Sequence, residues 1–293
     1  MEYIPAKTIV TRTKSSAWFG TEYNMNLYRG CCHGCIYCDS RSNCYRIENF
    51  DSVRAKENAL TLIRDDLRRK VKTGVIGTGS MSDPYNPFER EHLLTRHALE
   101  LINAFGFGVS VATKSSLVTR DIDILCDISE HSPVIVKLTI TTFDDKLGEK
   151  LEPNVAAASE RFEALKKLSN NGVYSGVLLM PVLPFVNDTD ENIIQITRAA
   201  KENGARFIYP AFGVTLRDGQ REYFYQNLDK LFPSLTEKYI KRYGGSYSCS
   251  SSRAKELYRL FSEECDKLGL LYKMRDIIRS YKLGYDDRQM RLF

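Results

Sequence analysis

The sequence predicts an α/β protein, a partial (β/α)6 TIM-like barrel followed by a helical C-terminal extension. Between residues 23 and 213, short apolar segments alternate with longer amphipathic segments. This alternation predicts parallel strands with helices packed outside them. About six such units are present, fewer than the eight of a complete barrel, so we expect a partial barrel. After residue 213 the strand pattern stops and helical patterns follow.

The predicted strands are short runs rich in apolar and β-branched residues, which favour extended backbone. They cover residues 23–29, 74–79, 106–113, 134–142, 173–180 and 206–212, and Pro181 ends the fifth. The predicted helices carry apolar residues at helical spacing, with charged residues on the opposite face. They cover residues 52–72, 90–105, 117–129, 159–170 and 190–203, with Ser159 as a candidate N-cap.

The same patterns divide the chain into three segments. Residues 1–22 are polar and mixed and are expected to form an N-terminal arm, while residues 23–213 form the barrel. Residues 214–293 form the extension, with helices over 221–242 and 254–268 and a glycine- and serine-rich joint over 244–252. Because the chemistry of such barrels sits where the strands end, we expect the barrel segment to carry the active site.

The composition is that of an ordinary globular protein, with 43% hydrophobic and 27% charged residues in a chain of 293. No apolar run has the length of a membrane span, and residues 1–14 lack the apolar core of a signal peptide. We therefore expect a cytoplasmic protein with reduced thiols and no membrane partner. The net charge of +5 is compatible with an anionic partner such as nucleic acid but does not require one.

The most informative stretch is the run CCHGCIYC at residues 31–38. Cys31, Cys35 and Cys38 stand in a C-x3-C-x2-C arrangement, which can bring three thiolates to one [4Fe–4S] cluster. Since such a cluster takes four ligands, a set of three leaves one iron open to bind another molecule. Zinc is the alternative, with His33 or Cys44 as the fourth ligand, although no second cysteine pair follows at the usual distance.

Small and polar residues follow the second predicted strand, where the chain reads GTGSMSDPYNP over residues 77–87. Gly79 permits a close approach of the backbone to a ligand. Ser80, Ser82 and Asp83 supply polar groups at the same place. The alternative is a turn rich in proline and glycine that binds nothing.

Two cationic residues follow the next two predicted strands. Lys114 needs an anionic partner if it is buried, or it extends to solvent. Arg161 lies on the helix after the fourth strand and can bind a carboxylate through two hydrogen bonds. The alternative for Arg161 is an ordinary ion pair with Glu152 or Glu160.

These motifs together resemble the radical SAM superfamily. The cysteine spacing, with the aromatic residue Tyr37 before the last cysteine, is similar to the signature of that superfamily. The DPYNP run over residues 83–87, the lysine at position 114 and the Glu-Pro pair ahead of Arg161 resemble its spore photoproduct lyase and DNA-repair-photolyase-like branch. The resemblance covers roughly residues 23–212 and implies the radical SAM form of the partial barrel.

The resemblance implies a role for each candidate residue. The three cysteines would hold a [4Fe–4S] cluster, whose open iron would bind the amino and carboxylate groups of S-adenosylmethionine (SAM). Tyr37 would lie near the adenine. The other implied cofactor-binding residues would surround the amino and carboxylate groups of SAM: Gly79, Ser80, Ser82, Asp83, Lys114 and Arg161.

The resemblance also implies a reaction. An electron from a low-potential donor of the flavodoxin or ferredoxin type would cleave SAM, and the resulting 5′-deoxyadenosyl radical would abstract hydrogen from a substrate. Spore photoproduct lyases carry a cysteine hydrogen donor shortly before the Ser-Asp pair, and Ser80 stands at that position here. Because a hydroxyl is a far poorer hydrogen-atom donor than a thiol, the resemblance leaves the substrate unassigned.

Several substrates stay open on the sequence alone. A basic and aromatic tail is compatible with contacts to nucleic acid, or it forms an ordinary amphipathic helix. Its residues are Arg275, Arg279, Tyr281, Lys282, Tyr285, Arg288 and Arg291. RNA, a peptide or a small molecule are the other enzymatic possibilities, although Cys249 and Cys265 are too few to hold a second cluster. A zinc-containing nucleic-acid-binding protein is the non-enzymatic alternative.

Overall fold

A seven-stranded sheet organises the fold of the computed structural model, which describes residues 1–285. The strands are β1 (Glu2–Ile4), β2 (Val10–Arg12), β3 (Tyr23–Met25), β4 (Tyr28–Arg29), β5 (Arg54–Lys56), β6 (Val75–Thr78), β7 (Gly108–Thr113), β8 (Val134–Thr139), β9 (Ser175–Leu179), β10 (Phe207–Pro210), β11 (Gly213–Thr215) and β12 (Ser248–Ser250). In the main sheet β3, β6, β7, β8, β9 and β10 are parallel neighbours in chain order, and antiparallel β2 extends the sheet beyond β3. Parallel strands in unbroken chain order are typical of a barrel, so the predicted partial barrel is confirmed.

Helices cover the outside of this sheet and build the C-terminal region. They are α1 (Ala59–Arg68), α2 (Glu89–His92), α3 (Leu94–Ala104), α4 (Ile122–Ser129), α5 (Asp145–Leu151), α6 (Ala158–Asn170), α7 (Asp190–Glu202), α8 (Gln220–Leu231), α9 (Leu235–Tyr243), α10 (Ala254–Leu268) and α11 (Met274–Lys282). Helices α1, α3, α4, α6 and α7 connect successive parallel strands. Within residues 1–285, no helix combines the length and the apolar character needed to cross a bilayer.

The two faces of the sheet have different chemistry, as β8 illustrates. Val134, Val136 and Leu138 belong to the main apolar core that the helices also build. Since side chains alternate along a strand, Lys137 and Thr139 point to the opposite face, which is the interior of the barrel. Both are nevertheless buried. The barrel interior therefore holds polar side chains, while the outer face of the sheet packs against the apolar core.

The turn between β2 and β3 closes the gap between the first and last parallel strands. Its Phe19 packs against Phe207 of β10 with ring centroids 5.8 Å apart, and Trp18 packs against Tyr209 at 5.5 Å. Helix α11 supports this turn from behind, where the Tyr281 hydroxyl donates a hydrogen bond of 2.6 Å to the Phe19 carbonyl. We call Trp18 and Phe19, with α11 behind them, the floor of the barrel.

The structure corrects the predicted start of two helices. Residues 54–56, predicted to open the first helix, form β5 because they pair with β1 on one side and β4 on the other. Ser159 is not an N-cap, because α6 already begins at Ala158. The Ser159 hydroxyl instead donates to Asp145 (2.6 Å), while Glu160 accepts the Ala157 N–H (2.9 Å) and caps the helix.

Other predicted elements are divided in the structure. The helix predicted over residues 90–105 is broken at Leu93 (φ 51°), and the helix over 221–242 is broken near Ser234 (φ 74°), because a helix cannot continue through left-handed backbone. The first predicted strand forms β3 and β4, of which only β3 joins the main sheet. In the predicted joint over 244–252, β12 pairs with β11. The division into three segments at residues 22 and 213 stays a prediction.

Candidate active site

The cysteine loop leaves β4 through Gly30, where the backbone passes very close to residues 50–52. Gly30 has a φ of 80°, and a Cβ atom there would lie 2.4 Å from the Ser52 carbonyl oxygen and 2.7 Å from that of Phe50. Only glycine fits this position. The N–H of Cys31 then donates to the Phe50 carbonyl at 2.8 Å, which fixes where the first cysteine begins.

The middle of the cysteine loop is fastened to the last residue of α5 and to the segment that follows it. The Ile36 N–H donates to the Leu151 carbonyl (3.0 Å), and the Asn154 N–H donates to the His33 carbonyl (3.2 Å). The Asn154 side chain adds a bond of 3.0 Å to the Cys32 carbonyl. Backbone contacts that do not use the thiols therefore hold the loop in place.

Cys31, Cys35 and Cys38 line one cleft of about 370 Å³ at the C-terminal ends of the strands. Cys32 does not line this cleft and packs against the main core, while Cys44 is exposed. Burial raises the pKa of the Cys35 thiol well above its usual value, and the nearby Lys114 opposes that shift. Metal binding requires the thiolate form, and the Lys114 ammonium is the nearby charge that favours this form of Cys35.

The donor set matches an iron–sulfur cluster. Three thiols lie on one wall of the cleft, and the thiolate is the usual ligand of iron in such clusters. Within residues 1–285, no three histidine, cysteine or acidic side chains converge on a point where a single metal ion would sit. A cluster sets a different requirement, because each cysteine binds a different iron atom.

The loop after β6 brings Gly79, Ser80, Ser82 and Asp83 to the same cleft, as the sequence predicted. Gly79 has a φ of 90°, and a Cβ atom there would lie 1.9 Å from the Ala112 carbonyl oxygen. This clash requires glycine for the packing of β6 against β7. Ser80 is exposed at the rim of the cleft.

The side chains of Ser82 and Asp83 form hydrogen bonds with other parts of the protein. The Ser82 hydroxyl donates to the Gly30 carbonyl at 2.5 Å and so fastens this loop to the cysteine loop. The Asp83 carboxylate accepts the Thr113 hydroxyl (2.6 Å) and the Lys114 N–H (2.8 Å), and His33 Nδ1 lies 3.6 Å from it. Together these contacts connect the cysteine loop with the loops that follow β6 and β7.

Lys114 lines the cleft with its ammonium group 5.6 Å from the centre of the Tyr37 ring. Burial lowers the pKa of Lys114, but the negative charges of Cys35 and Glu152 outweigh this effect, so the pKa of Lys114 is raised. Within the described part of the chain, this ammonium group has no hydrogen-bond acceptor and no carboxylate at ion-pair distance. Lys114 is therefore a charged donor that is available to a ligand in the cleft.

Arg161 does not line the cleft. Its guanidinium group donates to Glu152 Oε2 (2.6 Å), the Thr139 carbonyl (2.6 Å) and the Ala156 carbonyl (2.9 Å). Glu152 Oε1 in turn accepts the hydroxyl of Tyr37, and all three side chains are buried. Burial raises the pKa of Glu152, but the positive charges of Arg161 and Lys114 outweigh this effect and hold the pKa below its usual value. The ion pair with Glu152, one of the two alternatives for Arg161, thus fixes Tyr37 in the cleft wall.

The sequence analysis missed several residues, most of them polar, that line the cleft. They are Trp18, Asn24, Thr78, Lys137 and Thr139. One signal could have found Lys137, because it is the single charged residue in the run VIVKLTITT over residues 134–142. The others lacked a signal, since their place depends on which face of a strand points into the barrel.

Three residues of the basic and aromatic tail contact the protein itself, whereas Arg275 and Arg279 are exposed. The Lys282 ammonium donates to the Gly20 carbonyl (2.6 Å) and Glu22 (2.7 Å), and the Tyr285 hydroxyl donates to the Ser129 carbonyl (2.6 Å). Tyr281 is buried against the floor. The amphipathic-helix alternative describes these residues better than the nucleic-acid contact. Arg288 and Arg291 lie outside the described residues.

Comparisons with known proteins identify a family for most of the barrel segment. The family model described as the Radical SAM superfamily matches residues 25–197. An uncharacterized protein of Methanocaldococcus jannaschii is 35% identical over 190 residues, covering 64% of this chain and 69% of that protein. An uncharacterized protein of Mycobacterium tuberculosis is 27% identical over 244 residues, covering 81% of this chain and 72% of that protein.

A solved structure shares the fold over most of the chain. Spore photoproduct lyase complexed with dinucleoside spore photoproduct superposes with a TM-score of 0.65 at 16% sequence identity, covering 91% of this chain and 79% of the lyase. At this identity the likeness concerns the fold.

Proposed function

The chain belongs to the radical SAM superfamily, and on that basis we propose that Cys31, Cys35 and Cys38 hold its cluster and that the adjoining cleft positions SAM and a substrate. It is a radical SAM enzyme with a [4Fe–4S] cluster and SAM as cofactors. When bound, these cofactors supply one-electron cleavage of a carbon–sulfur bond and hydrogen abstraction from the substrate. One observation carries the proposal, namely that the three cysteines, Tyr37 and Lys114 line one cleft.

Lys114 is proposed to bind the carboxylate of SAM. Its ammonium group lines the cleft beside the cysteine loop without an acceptor among the described residues. A buried or half-buried ammonium is stabilised by a carboxylate at hydrogen-bond distance. The residues predicted to contact the amino group of SAM, Ser80 and the loop up to Asp83, stand on the neighbouring wall.

Tyr37 is proposed to form the wall beside the adenine. Its ring is held through its hydroxyl by Glu152, which Arg161 holds in turn. A side chain locked in this way cannot swing into the cleft, so the space for the cofactor is formed before binding. In this proposal Arg161 is a positioning residue and does not contact the carboxylate of SAM.

The reaction is proposed to resemble the hydrogen abstraction of spore photoproduct lyase, on a substrate that differs in how hydrogen is returned. Among the described residues, the thiols that line the cleft are those of the three proposed cluster ligands. Ser80 occupies the place of the lyase cysteine, and a hydroxyl group does not replace a thiol as hydrogen-atom donor. A nucleic acid remains a candidate substrate, because the lyase that shares this fold is complexed with a dinucleoside photoproduct.

The enzyme needs a reductant for its cluster, and we propose a low-potential protein of the flavodoxin or ferredoxin type. Clusters of this kind reach strongly negative potentials. A donor with a matching potential is therefore required. The choice between the two types follows from which of them supports SAM cleavage when dithionite is omitted.

The decisive experiment is anaerobic reconstitution with iron and sulfide, followed by dithionite and SAM and quantification of 5′-deoxyadenosine. The wild-type protein is expected to bind about four irons and to form 5′-deoxyadenosine. Cys35→Ala is expected to lose the cluster absorbance and the product. Cys32→Ala is the matched control, since this cysteine lies in the same loop outside the cleft, and it is expected to retain both.

A cluster-loaded protein that forms no 5′-deoxyadenosine would contradict the proposal, and so would equal losses in the two variants. A parallel reaction with DNA containing the methylene-bridged thymine dimer tests the substrate. We expect SAM cleavage without repair of this lesion, because within residues 1–285 every thiol that lines the cleft belongs to a proposed cluster ligand. Repair would show that hydrogen is returned from another residue.

A further inference from the structure

A buried lysine in the inner half of the cleft has no part in the proposed binding of the cluster and SAM. Lys137 stands on β8, and only 3% of its surface is exposed. Its ammonium group donates to the Ser110 hydroxyl at 2.6 Å and lies 4.6 Å from the centre of the Phe19 ring. It lines the same cleft as the cysteine loop.

No negative charge balances Lys137 in the described structure. Residues 1–285 place no carboxylate at ion-pair distance from its ammonium group, and burial lowers the pKa of Lys137 to about 7. The other charged and titratable residues that line the cleft lie in the cysteine loop or follow the C-terminal ends of β6 and β7: Cys31, His33, Cys35, Tyr37, Cys38, Asp39, Asp83 and Lys114. Burying a lysine without a negative charge beside it costs free energy of folding. Proteins tolerate such costs mainly at functional sites.

The walls around Lys137 offer further donors and free space. Asn24 of β3 and Thr139 of β8 line the cleft on the inward face of their strands, and no hydrogen bond within residues 1–285 occupies their side chains. The inward positions beside them carry little or no side chain, at Gly77 of β6 and at Ala112 of β7. A polar group that enters the barrel would therefore meet a cation and several hydrogen-bond donors at once.

We propose that this inner cleft binds a substrate group with anionic oxygens, a carboxylate or a phosphate, through Lys137, with Asn24 and Thr139 as additional donors. The proposal rests on the proposed function, because it assigns the substrate end of the same cleft. An apolar group at this place would leave the ammonium unpaired. The carboxylate of SAM is assigned to Lys114, which lies among the charges of the cysteine end.

The test follows the titration of Lys137 in the cluster-loaded protein saturated with SAM. Lysine labelled with 13C at the ε carbon reports each ammonium group by NMR, and the Lys137 signal is assigned by its loss in Lys137→Met. The probes are acetate, for a carboxylate, and sulfate, which stands for a phosphate and does not titrate near neutral pH. Chloride at equal ionic strength is the reference.

One of the two probes is expected to raise the titration midpoint of Lys137 by at least one pH unit and to bind at least tenfold more weakly to Lys137→Met. The effective probe identifies the substrate group as a carboxylate or a phosphate. Lys166→Met, which removes an exposed lysine of α6, is the matched control and is expected to bind the probe as the wild type does. Lys137→Arg keeps a cation and is expected to retain binding, which separates loss of charge from misfolding.

Two results would overturn the proposal. In the first, neither probe moves the midpoint. In the second, SAM alone moves it without a probe, which would place Lys137 in the SAM site. Formation of 5′-deoxyadenosine in the same preparation is measured separately, so failure of the proposed function and failure of this inference are distinguishable.

Discussion

Lys114 after β7 and Lys137 on the neighbouring β8 line one cleft, yet their electrostatic surroundings are opposite. Lys114 follows β7 and lies near Cys35, Glu152 and Asp83, so its pKa is raised although burial opposes it. Lys137 on β8 has the Ser110 hydroxyl as its hydrogen-bond partner, and burial lowers its pKa to about 7. The outer end of the cleft thus already places negative charge near its lysine, and within residues 1–285 the inner end does not.

The difference separates a preformed site from one that its ligand completes. At the outer end, Glu152 and Arg161 hold Tyr37, and Ser82 joins two loops. Little reorganisation is needed there when a cofactor binds. At the inner end an anionic group would supply the missing charge, so discrimination between substrates is expected to arise there.

The largest expected effect comes from breaking the buried ion pair at the outer end. Arg161→Met leaves the Glu152 carboxylate buried without its cation, which is expected to lower the free energy of unfolding by about 3–5 kcal/mol. Arg64→Met is the matched control, since its ion pair with Asp65 has both side chains exposed, and about 0–1 kcal/mol is expected there. Urea denaturation measures both. Equal effects would mean that the buried pair does not stabilise the outer end, whereas partial recovery in Arg161→Met with Glu152→Leu would support the argument.

The next effect tests the assignment of Lys114. Lys114→Met removes the cation proposed for the carboxylate of SAM, at a cost of about 2–5 kcal/mol, so affinity for SAM is expected to fall roughly 30-fold or more. Isothermal titration calorimetry on cluster-loaded protein measures the dissociation constant. Lys166→Met should bind SAM with unchanged affinity. An affinity loss below threefold in Lys114→Met would remove this residue from the SAM site.

A smaller effect is the pH dependence of stability, which tests whether Lys137 at the inner end lacks a balancing negative charge. Because the pKa of Lys137 is lowered to about 7 while an unfolded lysine titrates near 10.4, the unfolded chain binds more protons between these values. Wild-type stability should therefore rise with pH by about 1 kcal/mol per unit in this window, beyond what Lys137→Met shows. The variant should be more stable than the wild type at pH 7, with the difference shrinking toward pH 10. Denaturation at pH 7, 8.5 and 10 measures it, and parallel curves would indicate an ordinary lysine pKa.

The smallest effect concerns the contact that joins the two loops of the outer end. Ser82→Ala removes the buried hydrogen bond to the Gly30 carbonyl and is expected to cost about 1–2 kcal/mol. Ser262→Ala, which removes an exposed bond to the Arg259 carbonyl, should cost less than about 0.5 kcal/mol. Thermal unfolding of the two variants makes the comparison. If their melting temperatures coincide, the loop contact contributes nothing to the preformed site.

Much of the outer end could be predicted because its signals are local in sequence. Three cysteines within eight positions identify their own loop, and residues that directly follow parallel strands meet at one edge of a sheet. The link from Tyr37 to Glu152 spans 115 positions, and no local pattern shows which side of α6 Arg161 takes. The roles of these residues toward SAM stay predictions, whereas their positions in the structure are observed.

The fold could be predicted where its signals are local in sequence, and it could not be predicted where an element depends on distant partners. The parallel strands were predicted because each is a compact apolar run. By contrast, β5 and β12 are three residues long and form through their partners rather than through their own sequence. Lys137 illustrates both situations, since its charge stands out in an apolar strand while its surroundings depend on Phe19 and Ser110 from other elements.

The floor of the barrel joins residues that are made far apart in time. The bond from Tyr281 to the Phe19 carbonyl and the bond from Lys282 to the Gly20 carbonyl each span more than 260 positions of the chain. Since synthesis runs from the N terminus, the cysteine loop leaves the ribosome long before α11 can support the floor. A nascent chain therefore presents its thiols before α11 supports the floor, and a cluster assembled on such an unfinished chain would be open to solvent from the side of the floor.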